Sequence, residues 1–251
     1  RKNKIVLKHA KGLEFLMKKN KVTTIAGYGR LTGPAKDGVF DIDVEAGGQH
    51  TTVKGKNVLL ATGSEARMLP GLEPDARVLT NIEILSLDAI PKSLIVVGAG
   101  AVGVEFASIY KSFGSQVTIL EMLPRLVPLE DEEISKELAR VFKKRGINFF
   151  VGAKVDKVEK TKDGVAVSLT ADGKTQKIEA EKILIAVGRK PNTENVGLEK
   201  VKNIKEERGF VHTNEWMQTG EPGVYAVGDV VAGMPQVAHA GAMEGLVAVA
   251  K

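Results

Sequence analysis

The chain has 251 residues, of which 43% are hydrophobic and 27% charged, a balance that supports a packed core and argues against bulk disorder. It contains no cysteine, which excludes a disulfide scaffold, a thiolate zinc site and thiol chemistry carried by these residues. The net charge of +5 is local: residues 1–21 hold eight Lys or Arg against Glu14 alone, and the remainder holds 28 basic and 30 acidic residues. Nucleic-acid binding is therefore not implied, and with aromatics at 5% neither is a surface for stacking bases.

Within residues 1–21, Ile5, Val6, His9/Ala10, Leu13, Leu16 and Met17 recur at helical spacing with lysines opposite. This predicts a surface helix with a solvated lysine face, the alternative being a polyanion-binding arm. The chain opens Arg1-Lys2-Asn3, with neither an initiator Met nor a signal-like stretch, so a piece of a longer protein is expected. No apolar run approaches the roughly 20 residues of a membrane span, and no membrane segment is predicted.

An internal repeat organises the rest of the chain. Asn57-Val58-Leu59-Leu60-Ala61-Thr62-Gly63 aligns with Lys182-Ile183-Leu184-Ile185-Ala186-Val187-Gly188 at an offset of 125, and Asp37-Gly38 with Asp163-Gly164 at 126. Each copy alternates apolar and polar residues between Asp-Gly or Gly-Gly turns, as an antiparallel meander does. Each closes on a continuous apolar run, as a buried central strand does.

The second copy is the more complete. Ser93 to Val97 predicts a strand, Gly98-Ala99-Gly100-Ala101-Val102-Gly103 comes next, and Val104 to Phe113 predicts a helix ended by Gly114. Gln116 to Leu120 predicts a second strand ending at Glu121, and Asp131 to Lys144 a charged helix closed by Gly146. The corresponding glycine turn of the first copy would fall before residue 1, so the first module is expected to lack its front. Beyond residue 191 come a short strand, Val224 to Val227, then Gly228-Asp229, and a small-residue helix from about Ala238. The expected fold is α/β: two Rossmann-like dinucleotide-binding modules with antiparallel meanders, one inserted in the other. Residues 1–72 and 191–251 would form the outer module and residues 73–190 the inserted one.

A Gly-x-Gly-x-x-Gly run is weak evidence in a chain with 27 glycines, but its setting between strand and helix strengthens it. Gly98 permits the tight turn, Gly100 lets backbone approach a pyrophosphate, and Gly103 allows close helix–strand packing. The helix N-terminus offers unpaired N–H groups to phosphate. Glu121 lies 18 residues past Gly103, where a carboxylate accepts from ribose hydroxyls and repels the extra phosphate of NADP, which points to NAD. Arg125 is the neighbour that could soften that preference.

Ala61-Thr62-Gly63-Ser64, Val187-Gly188-Arg189 and Gly228-Asp229 each end a predicted strand. Each alone is equally well a plain turn. His9, His50, His212 and His239 lack metal-ligand spacing, and no metal site is expected.

Together, in order, these segments resemble the flavoprotein disulfide reductase family over essentially all 251 residues. The resemblance rests on Gly27-Tyr28-Gly29 with Thr32-Gly33, Ala61 to Ser64, Pro70-Gly71 and the fingerprint through Ala107. It continues in Glu121 with Leu123-Pro124-Arg125, Ala186 to Asn192, Tyr225 to Val230, Ala238-His239 and Glu244-Gly245. It implies NAD held by Gly98, Ala99, Gly100, Ala101, Val102, Gly103, Val104, Glu105, Glu121, Val155 and Gly188. It implies FAD held by Gly27, Thr62, Gly63, Ser64, Asp229, Gln236, Val237, Ala238 and His239.

For the parent protein the resemblance implies transfer of two electrons from dihydrolipoamide to a disulfide, then to FAD, then to NAD⁺. The partner would be a lipoyl domain of a 2-oxoacid dehydrogenase or glycine cleavage complex. The family's redox cysteine pair would lie upstream of Arg1 and its catalytic His downstream of Lys251, leaving no catalytic residue in this chain. A homodimer is implied, in bacterial cytoplasm or, in a eukaryote, the mitochondrial matrix. The alternatives are a non-catalytic NAD-binding module and a relative closer to glutathione or mercuric reductase.

Overall fold

The computed structural model describes residues 1–250. In chain order, helix α1 (Lys2–Lys19) precedes strands β1 (Tyr28–Leu31), β2 (Phe40–Ala46), β3 (Gln49–Gly55) and β4 (Val58–Leu60). Then come β5 (Ser64–Ala66), β6 (Val78–Leu79), β7 (Ser93–Val97), helix α2 (Ala101–Ser112), β8 (Gln116–Leu120), helix α3 (Glu132–Lys144) and β9 (Asn148–Phe150). Strands β10 (Lys154–Lys160), β11 (Val165–Ala171), β12 (Lys174–Ala180), β13 (Lys182–Ile185) and β14 (Arg189–Pro191) follow. The chain closes with β15 (Glu206–Glu207), β16 (Phe210–Val211), β17 (Val224–Ala226) and helix α4 (Ala238–Val249). It divides into two compact units, residues 1–63 with 191–251 and residues 64–190.

In the second unit, β6-β13-β7-β8-β9 form a five-stranded sheet with parallel pairing throughout. Successive strand residues face opposite sides, and here both sides are apolar. Leu94, Val96, Val117, Ile119 and Leu184 pack with Ala107 and Tyr110 of α2 and Phe142 of α3. Ile95, Val97, Leu120, Ile183 and Ile185 pack with Val165, Val167 and Leu169 of the antiparallel meander β10-β11-β12. A parallel sheet covered on both faces reads as nearly unbroken apolar runs, which is why β7 and β13 are visible in the sequence, while β8 alternates Val117 and Ile119 with Gln116 and Thr118. Helix α3 is fixed at its start by Asp131, which accepts from the Glu133 N–H at 2.8 Å, with Glu132 and Glu133 in the first turn.

This unit begins at Ser64, before the residue 73 expected from the sequence. The reason is local: β5 pairs with β14, the Arg67 N–H donates to the Gly188 carbonyl, and Met68, Leu69 and Leu72 pack onto the second unit's core.

The first unit has a matching antiparallel meander, β1-β2-β3, but its parallel sheet is only β4 with β17. Leu31, Phe40, Leu60, Val211, Val224 and Ala226 form its core. The apolar run at Asn57–Gly63 forms a strand that is open on one edge, as expected of a module that lacks its front. Strand β4 has a strand neighbour on one edge among the described residues, and Leu59 is 44% exposed.

Helix α1 is corrected in one respect. It is helical as its spacing predicts, but its apolar stripe is not covered: none of its residues is buried, and Phe15 is 64% exposed. Spacing fixes which residues share a face, whereas burial requires a surface to receive that face. No helix among the described residues is long and apolar enough to cross a membrane.

Candidate functional site

In the second unit the parallel strands β7, β8 and β13 deliver their carboxyl ends side by side, so Gly98, Glu121 and Ala186–Gly188 leave the sheet at one edge. Gly98 has a φ of +101°, and a Cβ there would stand 2.2 Å from the Ala186 carbonyl oxygen. A Cβ on Gly103 would stand 1.9 Å from the Gly98 oxygen, so α2 rests directly on the turn. Gly100 differs: nothing lies within 4 Å of its Cβ position. The first and last glycines close the backbone, and the middle one leaves room above it.

Helix α2 opens at Gly100 without a side-chain cap and without a carboxylate in its first turn. Its leading N–H groups have no intrahelical acceptors. The capped α3 of the same unit shows the contrast. Helix α3 starts on a side-chain cap, whereas α2 starts open beside the glycine turn. The arrangement fits an anionic pyrophosphate.

Glu121 is 8% exposed. Its Oε2 accepts from the Ala99 N–H at 2.6 Å and its Oε1 from the Leu123 N–H at 2.8 Å. The carboxylate thereby ties the end of β8 to the glycine turn, and each oxygen keeps capacity for a further donor. Arg125 is turned to its own loop, where Nη2 donates to the carbonyls of Pro128 and Glu130, each at 3.1 Å. Glu105 is exposed on α2, and Gly188 is exposed with a φ of +116°. Val155 on β10 is half-buried and packs against the second unit's core, two residues beyond Ala153, whose N–H donates to the Glu121 carbonyl at 2.8 Å.

In the first unit, β4 and β17 are parallel neighbours, which brings Thr62-Gly63 and Gly228-Asp229 out at adjacent strand ends. Asn192 fastens the first of these turns, its Nδ2 donating to the Thr62 carbonyl at 3.0 Å and its N–H to the Gly63 carbonyl at 2.9 Å. Helix α4 starts after Val237 with no side-chain cap and no acidic residue in its first turn, again an open N-terminus. Gln236 reaches the Asp229 carbonyl at 3.5 Å, which keeps residues 236–239 near that turn. Gly27 is held against the meander instead, where a Cβ would stand 2.8 Å from the Glu45 carbonyl oxygen. Ser64 falls in the second unit, where its Oγ accepts from Arg189 Nε and its carbonyl from Arg189 Nη2, each at 2.5 Å.

Two ties escaped sequence reasoning. The Arg189–Ser64 clamp joins residues 125 positions apart, with no pattern to announce it. The second is Glu244, which is 4% exposed and accepts from the Gly228 N–H. Its signal was available, because Glu244 is the one carboxylate in a helix otherwise made of apolar and small residues and His239. Among the described residues, no group of three or more His, Asp or Glu is placed to hold a metal ion.

Known proteins resemble this chain in sequence and in fold. Curated relatives named dihydrolipoyl dehydrogenase include one from Bacillus subtilis (strain 168), 43% identical over 99% of this chain and 54% of its own length. Another, from Cupriavidus necator, is 44% identical over 98% of this chain and 51% of its own. The chain thus spans about half the length of the curated relatives it matches. The crystal structure of LpdA from Mycobacterium tuberculosis superposes with a TM-score of 0.86 at 33% identity, covering 97% of this chain and 53% of that one. Residues 2–245 match the family described as pyridine nucleotide-disulphide oxidoreductase, and the chain belongs to that family.

Proposed function

We propose that the protein carrying this chain is a dihydrolipoyl dehydrogenase, oxidising dihydrolipoamide and passing two electrons through FAD to NAD⁺. Each unit then serves one dinucleotide: residues 64–190 hold NAD, and residues 1–63 with 191–251 hold FAD. The observation that carries the reading is the Glu121 tie, a buried carboxylate spanning the glycine turn and the end of β8 beside the uncapped start of α2. The names of the relatives, at 43% and 44% identity, supply the substrate.

In this reading Gly98–Val104 surround the pyrophosphate of NAD, Glu121 accepts from the ribose hydroxyls, and Glu105 and Gly188 lie toward the nicotinamide half. Val155 contributes from beneath, through the packing of the meander. Thr62 and Gly63, with Gly27, form the adenosine side of the FAD site, while Ser64 stays with Arg189 in the second unit. Asp229 accepts from the ribityl chain, and Gln236–His239 present the open N-terminus of α4 to the negative edge of the ring. FAD supplies two-electron redox chemistry between a dithiol and a nicotinamide. The chain's residues bind and orient the two dinucleotides. A homodimer in the cytoplasm, working on the lipoyl domain of a 2-oxoacid dehydrogenase or glycine cleavage complex, completes the proposal. The narrow β4-β17 sheet favours one alternative, that this chain by itself binds NAD and not FAD; a colourless preparation with intact NAD binding would support it.

The test is nucleotide selectivity. Replacing Glu121 with Ala removes a charged acceptor and is expected to weaken NAD binding by about 1–3 kcal/mol. Glu121→Arg is expected to move preference toward NADP. Calorimetric titration that finds NADP bound as tightly as NAD by the unaltered protein would overturn the assignment.

A further inference from the structure

Glu244 is a buried carboxylate that the proposed function does not use. Its Oε2 accepts from the Gly228 N–H at 2.5 Å, while its Oε1 is buried without a hydrogen-bond partner among the described residues. Gly241 lies three residues earlier, on the same side of α4. A Cβ at Gly241 would stand 3.1 Å from the Gly228 Cα, so the helix backbone closes onto the same turn that the carboxylate grips.

A buried carboxylate with only one of its oxygens bonded is desolvated at both, so the one bond it makes offsets little of the cost of burying it. What this one fixes is the direction of a single peptide, Val227–Gly228, one residue ahead of Asp229. We propose that Glu244 is a positioning residue for flavin binding. It locks the Gly228 peptide to α4, so that the Asp229 carboxylate and the open N-terminus of α4 meet FAD as one rigid piece. This role rests on the reading of Asp229 as a ligand of the ribityl chain.

The test is FAD titration, read by quenching of flavin fluorescence, on the protein expressed from its complete reading frame. E244Q keeps an oxygen for the Gly228 N–H and is expected to hold FAD within about three-fold of the unaltered Kd, whereas E244A is expected to raise Kd by about ten-fold or more. NAD affinity, measured in the same preparations, should stay unchanged. Because Glu244 acts through the Asp229 turn, E244A combined with D229N should bind FAD no more weakly than the weaker single variant. If E244A does not fold, E244L, which retains bulk without an acceptor, must show the same loss. Unaltered FAD affinity in E244A or E244L, or strictly additive effects in the double variant, would overturn the role of Glu244 alone. Absence of FAD from the unaltered protein would overturn the reading of Asp229 and the role of Glu244 together.

Discussion

The same apolar run occurs twice in this chain, and its two copies meet different surroundings. Strand β13 lies between β6 and β7, and its Leu184 is 0% exposed. Strand β4, its counterpart, has β17 on one edge and no strand on the other among the described residues, with Leu59 left half in solvent. The meanders before them match in strand number and direction. An apolar run therefore states what a strand is able to bury, and its neighbours decide what it does bury.

The contrast predicts unequal costs for equal changes. Leu184→Ala should destabilise the second unit by about 2–5 kcal/mol, the range for a large cavity in a closed core. Leu59→Ala should cost less than about 1 kcal/mol, because much of the side chain already meets water. Hydrogen exchange of amides in β13 and β4 reads each cost locally. It should also show residues 1–63 and 200–250 exchanging faster than residues 94–121. Equal losses at the two leucines, or equal protection of the two units, would mean that β4 is covered in solution.

A smaller effect separates the helix starts. Asp131→Ala removes the cap of α3 and should cost about 1 kcal/mol, visible as faster exchange in its first turn. Helix α2 has no cap to lose, and its first turn should gain protection on addition of NAD. Protection of α2 that ignores NAD would detach the open helix start from nucleotide binding.

The smallest effect is one of pH. Asp75 Oδ2 lies 2.6 Å from Lys160 Nζ, and Oδ1 accepts from the N–H groups of Arg77 and Val78. The Lys160 hydrogen bond, then the two backbone donors, hold its carboxyl well below the usual value of 3.8. A carboxylate depressed in the folded state stabilises above its unfolded pKa, and that stability is lost as pH falls through the folded value. Asp75→Asn should therefore narrow the difference in melting temperature between pH 7 and pH 3, by less than the Asp131→Ala shift. An unchanged difference would show that the ion pair contributes nothing in solution.

Residues with strong periodicity or special geometry were legible in the sequence. Strands β7 and β8 were readable residue for residue, β7 from its continuous apolar run and β8 from the alternation of Val117 and Ile119 with polar residues. Helix α3 was legible through its cap and through Gly146, and the glycine turn through the spacing of Gly98, Gly100 and Gly103. Strands β5, β6, β9 and β14 were not, since two or three residues carry no period. Pairing of β5 with β14 shifted the start of the second unit to Ser64 for that reason. Helix α1 was legible as a surface helix, but not that its apolar stripe also stays uncovered, because nothing in a helical stripe specifies its receiver. At the candidate site, residue types and spacing named Glu121. The N–H donors that give the carboxylate its orientation come from residues 99 and 123, and only the fold brings them together.

The pairing of β5 with β14, stitched by Arg189 to Ser64, means that the chain enters and leaves the second unit through one doorway. Neighbouring strands stand about 5 Å apart, a gap that two or three residues of linker can bridge. The unit between them is thus a cassette: it can be excised and its severed ends rejoined by a short loop, or it can be expressed with both termini side by side. Insertions and exchanges at this doorway would leave the path of the framing chain unchanged, which makes residues 64–190 the natural portable part of the molecule.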